Sequence, residues 1–148
     1  MNNRKLSSSS PVLRKNVTFL LPIRNGEKWV LESLSNIVAM SQSGDEIIAV
    51  NDGSTDRTLI LLRTFKSQLK LTILNSQGQG LVEALNLGIA ESKTEWIARV
   101  DVDDNYSPLR IEEQMKAIQE DTVAVFSDYE VVSEEDRSLG VIFSPIYD

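Results

Sequence analysis

The 148-residue chain contains no cysteine and no histidine. That absence removes disulfides, thiolate nucleophiles, thiolate zinc sites, Ser-His-Asp triads and imidazole bases together. A metal would have to be held by oxygen, which points to magnesium, manganese or calcium. Acid–base chemistry is left to carboxylates, Lys or Tyr. No apolar run approaches the roughly 20 residues of a membrane helix. The basic start, MNNRKLSSSSPVLRKN, is not followed by the apolar stretch a secretory leader requires. A Walker-type Gly-Lys-Ser/Thr loop is missing. GQGLVEALNLG (78–88) fails as a dinucleotide fingerprint, because Glu83 stands where the third glycine belongs.

What is present fits a single soluble, globular domain, with 41% hydrophobic and 25% charged residues. Charge is unevenly placed. Arg4, Lys5, Arg14 and Lys15, with no acid among the first sixteen residues, make that stretch +4; the other 11 bases face all 22 acids, a balance of −11. So acidic a body argues against nonspecific nucleic-acid binding. The basic stretch can touch an anionic membrane surface, but its serine run favours a flexible leader over residues 1–16.

Beyond the leader, apolar runs alternate with helical periodicity. VTFLLP (17–22), EIIAV (46–50), LTIL (71–74) and EWIARV (95–100) read as buried strands, and TVAVF (122–126) as a fifth. Helices are expected over 27–40, with Val30, Leu34, Ile37 and Val38 inward, and over 57–69, with Leu61, Leu62, Phe65 and Leu69 inward. Ser54 or Thr55 can cap the second, with Asp56 near its positive end. Further helices are expected over 81–92 and from Ser107-Pro108. The closing DYEVVSEEDRSLGVIF suggests a hairpin around an acidic turn, and Trp29 and Trp96 read as core. Such alternation predicts an α/β fold, a mostly parallel sheet with helices on both faces. Ligands bind such sheets beyond the carboxyl ends of the strands.

Polar residues gather at just those ends: Arg24-Asn25 after the first strand, Asp52 after the second, Asp101, Asp103 and Asp104 after the fourth. Two carboxylates about 4 Å apart repel by roughly 1 kcal/mol in water and about 4 kcal/mol at an effective dielectric near 20. A divalent cation that also holds a diphosphate would relieve this; a solvated acidic turn is the plainer source of DVDD. In NDGSTD (51–56), turn and cap chemistry explains Gly53, Ser54 and Asp56 but leaves Asp52 unexplained. A phosphotransferase using DVD as nucleophile would place the acids after the first core strand, not the fourth.

Together VTFLLPIRNGEKWVLESLSNI, EIIAVNDGSTDRT, GQGLVEALNLGIAESKTEWIARVDVDDNYSPLRIEEQ and, more loosely, VAVFSDYEVV resemble the family 2 glycosyltransferases. The resemblance implies a Rossmann-like GT-A fold over residues 17–148, cut short at the carboxyl end with the acceptor-side half missing. It implies that Pro22, Arg24 and Asn25 line a nucleotide pocket, with Arg24 where the family has an aromatic or small residue. Asp52 would contact the base, Asp101 the ribose side, and Asp103 a Mn2+ or Mg2+ ion bridging the diphosphate, with Asp104 sharing or assisting. The implied reaction is metal-dependent, inverting sugar transfer from a nucleotide-diphosphate donor, a UDP-sugar, to a glycan or lipid-linked acceptor hydroxyl in polysaccharide or cell-envelope glycan synthesis. The site would be cytoplasmic, at or near the inner membrane face. The catalytic base is expected beyond Asp148. A catalytically inactive nucleotide-sugar-binding or interaction module is the alternative, and a sheet short of its later strands predicts self-association.

Overall fold

A computed structural model describes residues 14–66, 70–133, 135 and 137–143. The chain divides into two compact units, Met1–Pro108 and Leu109–Asp148. In the first unit the order is β1 (Val17–Ile23), α1 (Val30–Met40), β2 (Glu46–Asp52), α2 (Thr58–Lys66), β3 (Leu71–Ser76), α3 (Leu81–Glu91) and β4 (Trp96–Arg99). The four strands are parallel and lie in the order β3-β2-β1-β4. β1 is buried along its whole length, as a near-continuous apolar run in a parallel sheet should be.

Strand pleat separates the core into two layers. Leu20, Ile48 and Val50 meet Ala84 of α3, with Leu74 and Leu85 alongside. A Cβ on Gly88 would lie 2.1 Å from Leu20 Cδ1, so α3 sits on the sheet as closely as a glycine allows. The alternate residues Phe19, Leu21, Ile47 and Ala49 face the other way and are also buried. Right-handed crossovers put α1 and α2 on that second face, and those two helices pack on each other. α1 contributes Val30, Leu34, Ile37 and Met40; Val38, expected inward, is 42% exposed because the 3.6-residue repeat carries it off the stripe.

Of the leader expected over 1–16, residues 1–13 lie outside the described residues. Arg14 and Lys15 are fastened to the body. The Arg14 guanidinium forks onto Asp45, Nη1 to Oδ1 at 3.0 Å and Nη2 to Oδ2 at 2.6 Å, and also donates to the Met40 carbonyl. Lys15 pairs with Glu95 at 3.0 Å.

The second unit holds α4 (Arg110–Lys116), β5 (Tyr129–Val132) and β6 (Ser138–Ile142), the last two an antiparallel hairpin as expected. The strand expected over 122–126 is a correction: residues 122–128 are irregular, with Val123 94% and Phe126 74% exposed. An apolar β-branched run becomes a strand only with a ladder to join, and β5 and β6 pair with each other. Trp29 also departs from expectation: it is 36% exposed, with Lys28 Nζ 5.2 Å from its ring centroid. α2 is described to Lys66, so Leu69 lies outside the described residues. Among them, no helix is long and apolar enough to cross a membrane.

Candidate functional site

The chain runs outward through β1, β2 and β3, then returns to place β4 on the far side of β1. The strand order therefore reverses between β1 and β4, and ligands of doubly wound sheets bind at that reversal. Pro22 helps to open it. Leu20 turns its backbone toward β4, accepting from Val100 N–H at 3.0 Å, and the β1–β4 ladder ends at the Leu20–Arg99 pair. Two residues on, Pro22 faces the same side, beyond the ladder, where no N–H is required. Pro22 is itself buried in β1; what it contributes is the end of the ladder.

The loops at this edge are stitched together. Asn25, at φ 52°, uses its side-chain oxygen to accept from Thr55 N–H at 2.9 Å and Thr55 Oγ1 at 3.3 Å, and its own N–H donates to Ser54 Oγ at 3.0 Å. Gly26 N–H donates to Thr58 Oγ1 at 2.8 Å, Glu27 N–H to Asp56 Oδ2 at 3.0 Å, and Arg57 N–H to Glu27 Oε2 at 2.9 Å. Asp56 Oδ1 accepts from Thr58 N–H at 2.9 Å and from its hydroxyl at 2.5 Å. The cap of α2 is therefore Asp56, not Ser54 or Thr55, which are turned to Asn25. Burial pushes the Asp56 carboxyl up, but the Thr58 hydroxyl, the Thr58 amide and the Glu27 amide together hold it below its ordinary value.

Asp52 ends β2 and is 4% exposed. Oδ1 accepts from the Ser76 hydroxyl, and Oδ2 accepts from Gly80 N–H at 3.0 Å. The expectation that no local structure requires Asp52 is thereby corrected: its carboxylate caps α3 from a neighbouring strand, supplying what Gly80 at the helix start cannot. Gly53, at φ 66°, lets the two loops meet, since a Cβ there would lie 3.0 Å from Gly78 Cα. The β4 loop joins from the other side. Asn36 of α1 donates to Asn105 at 3.0 Å, and a Cβ on Gly26 would lie 3.2 Å from Val102.

Within DVDD the three acids have different surroundings. Asp101 receives Arg99 Nε and Nη2 at 2.9–3.0 Å, and its N–H donates to Tyr106 Oη at 2.9 Å. Tyr106 Oη donates to Asp104 Oδ2 at 3.2 Å. Asp103 is exposed and takes no hydrogen bond or ion pair among the described residues. Arg24 is likewise exposed just past β1. No group of three or more carboxylates converges as a ready cation cage among the described residues. Sequence reasoning assigned no role to Glu27, Ser76, Arg99 or Tyr106. Arg99 alone carried a usable signal: it stands two residues before Asp101, and residues so spaced on extended backbone share a face.

Fold and loops define a doubly wound α/β domain whose strand order reverses at the junction of β1 and β4. Residues 18–141 match the family described as Glycosyl transferase family 2, and the chain belongs to that family. The glycosyltransferase GlyG of Streptococcus pneumoniae is 32% identical over 123 residues, 81% of this chain and 41% of the relative. The mannosyltransferase PcManGT from Pyrobaculum calidifontis, in complex with GDP-Man and Mn2+, superposes with a TM-score of 0.71 at 24% identity, covering 85% of this chain and 38% of that one. S. aureus TarS 1-349, in complex with UDP-GlcNAc, superposes with a TM-score of 0.61 at 22% identity, covering 66% and 29%. At these identities the superpositions show the GT-A-like fold. The chain spans between 19% and 41% of the length of the curated relatives it matches.

Proposed function

We propose that the chain is the donor-binding portion of a glycosyltransferase that takes a nucleotide-diphosphate sugar, a UDP-sugar, and passes the sugar to a glycan or lipid-linked acceptor hydroxyl. The observation that carries this reading is the edge itself: four loops, after β1, β2, β3 and β4, tied into one rim where the strand order reverses. The complexes of two proteins of this fold, one with GDP-Man and Mn2+ and one with UDP-GlcNAc, support a nucleotide-sugar at that rim.

In this reading Asp52, held by Ser76 and Gly80, forms the floor beneath the base. Pro22 and Asn25 shape the wall, and Arg24 supplies an exposed cation. Asp101 faces the ribose side. The donor set fits a hard divalent ion of the Mn2+ or Mg2+ kind. Asp103 offers an uncommitted carboxylate, Asp104 stands beside it, and such ions are commonly held by one or two carboxylates plus substrate phosphates. When bound, the metal would neutralise charge on the departing diphosphate. The acceptor oxygen would bond to the anomeric carbon as the carbon–oxygen bond to the diphosphate breaks, with a carboxylate taking the hydroxyl proton. No carboxylate of this chain is assigned that last task.

Calorimetric titration of UDP with and without Mn2+ tests the reading. Binding that strengthens with Mn2+ is expected, and negligible heat in both titrations from folded protein would overturn it. The commitment of two DVDD acids inside the loop, Asp101 to Arg99 and Asp104 to Tyr106, favours a second reading, a binding module without turnover. Sugar transfer or donor hydrolysis from a panel of nucleotide sugars would eliminate it.

A further inference from the structure

Three acids stand within four residues at the end of β4, and the nearest cation on the same strand is Arg99. Its guanidinium reaches Asp101 through both Nε and Nη2, and Nη2 contacts both carboxylate oxygens at 2.9 Å. The pair is half-exposed, 50% for Arg99 and 38% for Asp101, so water reaches it and fold stability rests little on it. Its geometry is nonetheless fixed from both ends. Arg99 is the last residue of β4, in register with Leu20; Val100 is bonded to Leu20, and Asp101 N–H is bonded to Tyr106. A forked guanidinium occupies both oxygens of a carboxylate in a way a metal ion would otherwise do.

We propose that Arg99 is a positioning residue that withdraws Asp101 from cation binding and leaves Asp103 as the metal-facing acid, so that a divalent ion binds well only together with a diphosphate. This rests on the nucleotide-diphosphate reading of the site. Without Arg99 the end of β4 carries charge −3 from Asp101, Asp103 and Asp104; with it, −2. The removed charge belongs to a carboxylate two residues from Asp103 in sequence. Arg99 therefore sets the order of loading. A bare ion meets one uncommitted carboxylate, too few oxygens to compete with water, while an ion bearing a diphosphate arrives with its remaining ligands.

The test needs no turnover. Electron paramagnetic resonance of Mn2+ counts the free aquo ion in the presence of protein. Wild-type protein should bind Mn2+ alone weakly. The variant Arg99→Met should bind Mn2+ alone about tenfold more tightly, the scale of one unit charge a few ångströms away in a mostly aqueous site. Its UDP affinity should in turn gain less from Mn2+ than the wild type's does. Arg99→Lys should fall between, because an ammonium is a point charge and does not fork. The double variant Arg99→Met/Asp101→Asn should return free-ion affinity to the wild-type level, since the ligand gained is Asp101. Unchanged Mn2+ binding in folded Arg99→Met protein would overturn the proposal, as would a double variant that keeps the gain. The comparison contains no nucleotide, so it decides the role of Arg99 even where the UDP titration fails.

Discussion

Replacing Asp45 by Asn tests whether residues 14–16 belong to the folded body. The Asp45 side chain is 1% exposed and that of Arg14 is 10% exposed. Its carboxylate accepts from both Arg14 nitrogens, from Val17 N–H at 2.9 Å and from Gln42 N–H at 2.8 Å. Asparagine keeps the shape but turns one acceptor into a donor, which then faces Nη2 of Arg14 and the Gln42 amide. A nearly buried guanidinium loses its counter-charge, and an amide loses its acceptor. Breaking such a pair from one side costs about 3–5 kcal/mol, a large part of a domain's roughly 5–15 kcal/mol. At a urea slope of about 1.5 kcal/mol per molar, the unfolding midpoint should fall by about 2–3 M. Arg14→Met should cost less, because Asp45 keeps its two amide donors. The exposed Lys15–Glu95 pair, 59% and 68% exposed, serves as the internal control, and Lys15→Met should cost under about 0.5 kcal/mol. If Asp45→Asn moved the midpoint no further than Lys15→Met, the fork would not be part of the fold and the reasoning would fail.

The other perturbations separate architecture from ligand binding. Asp103→Asn should abolish most of the Mn2+-dependent gain in UDP affinity, about tenfold or more, whereas Asp104→Asn should reduce it less; calorimetry of the two side by side checks this, and equal losses would contradict the assignment. Gly88→Ala drives a Cβ to 2.1 Å from the buried Leu20 Cδ1, so thermal unfolding should report overpacking of about 1–3 kcal/mol. Asp56 has a folded-state pKa below its ordinary 3.8, so its contribution is complete above that value and lost as pH falls through the lowered one. Asp56→Ala should consequently cost about 0.5–2 kcal/mol at neutral pH, and the gap to wild type should close on acidification below about pH 4 in urea titrations.

The strands were legible because β1 and β2 are apolar without interruption, a pattern a doubly buried parallel strand imposes. Their polar extensions were harder to read. Asn51 and Asp52 continue β2, and Asn75 and Ser76 continue β3, joined by Asn51 Nδ2 donating to Asn75 Oδ1 at 3.0 Å. An apolar-run criterion stops short of a ladder whose last two rungs are polar, Asn51 with Asn75 and Asp52 with Ser76. The irregular run 122–128 shows the opposite failure, a strand-like composition with no ladder to join. Pro22 was legible as an end to the first strand, yet its meaning depends on which neighbour its missing N–H would face, and only sheet order supplies that.

The same distinction orders the site. Motif reading groups Asn25, Asp52 and the DVDD acids as residues that could meet a ligand, because a polar residue beyond a buried strand looks unspent. In the folded chain several of these groups are already used: Asn25 by Thr55, Asp52 by Ser76 and Gly80, Asp101 by Arg99. Loops at a sheet edge carry backbone donors that must be satisfied, and these side chains satisfy them. The rim loops are thus hydrogen-bonded to one another without a ligand, an arrangement that would lower the ordering cost of binding. In the proposed reading, direct contact would fall first to groups the architecture leaves unspent, Arg24 and Asp103, one of each charge. A nucleotide diphosphate with its metal would present both complements, anionic oxygens toward Arg24 and a cation toward Asp103.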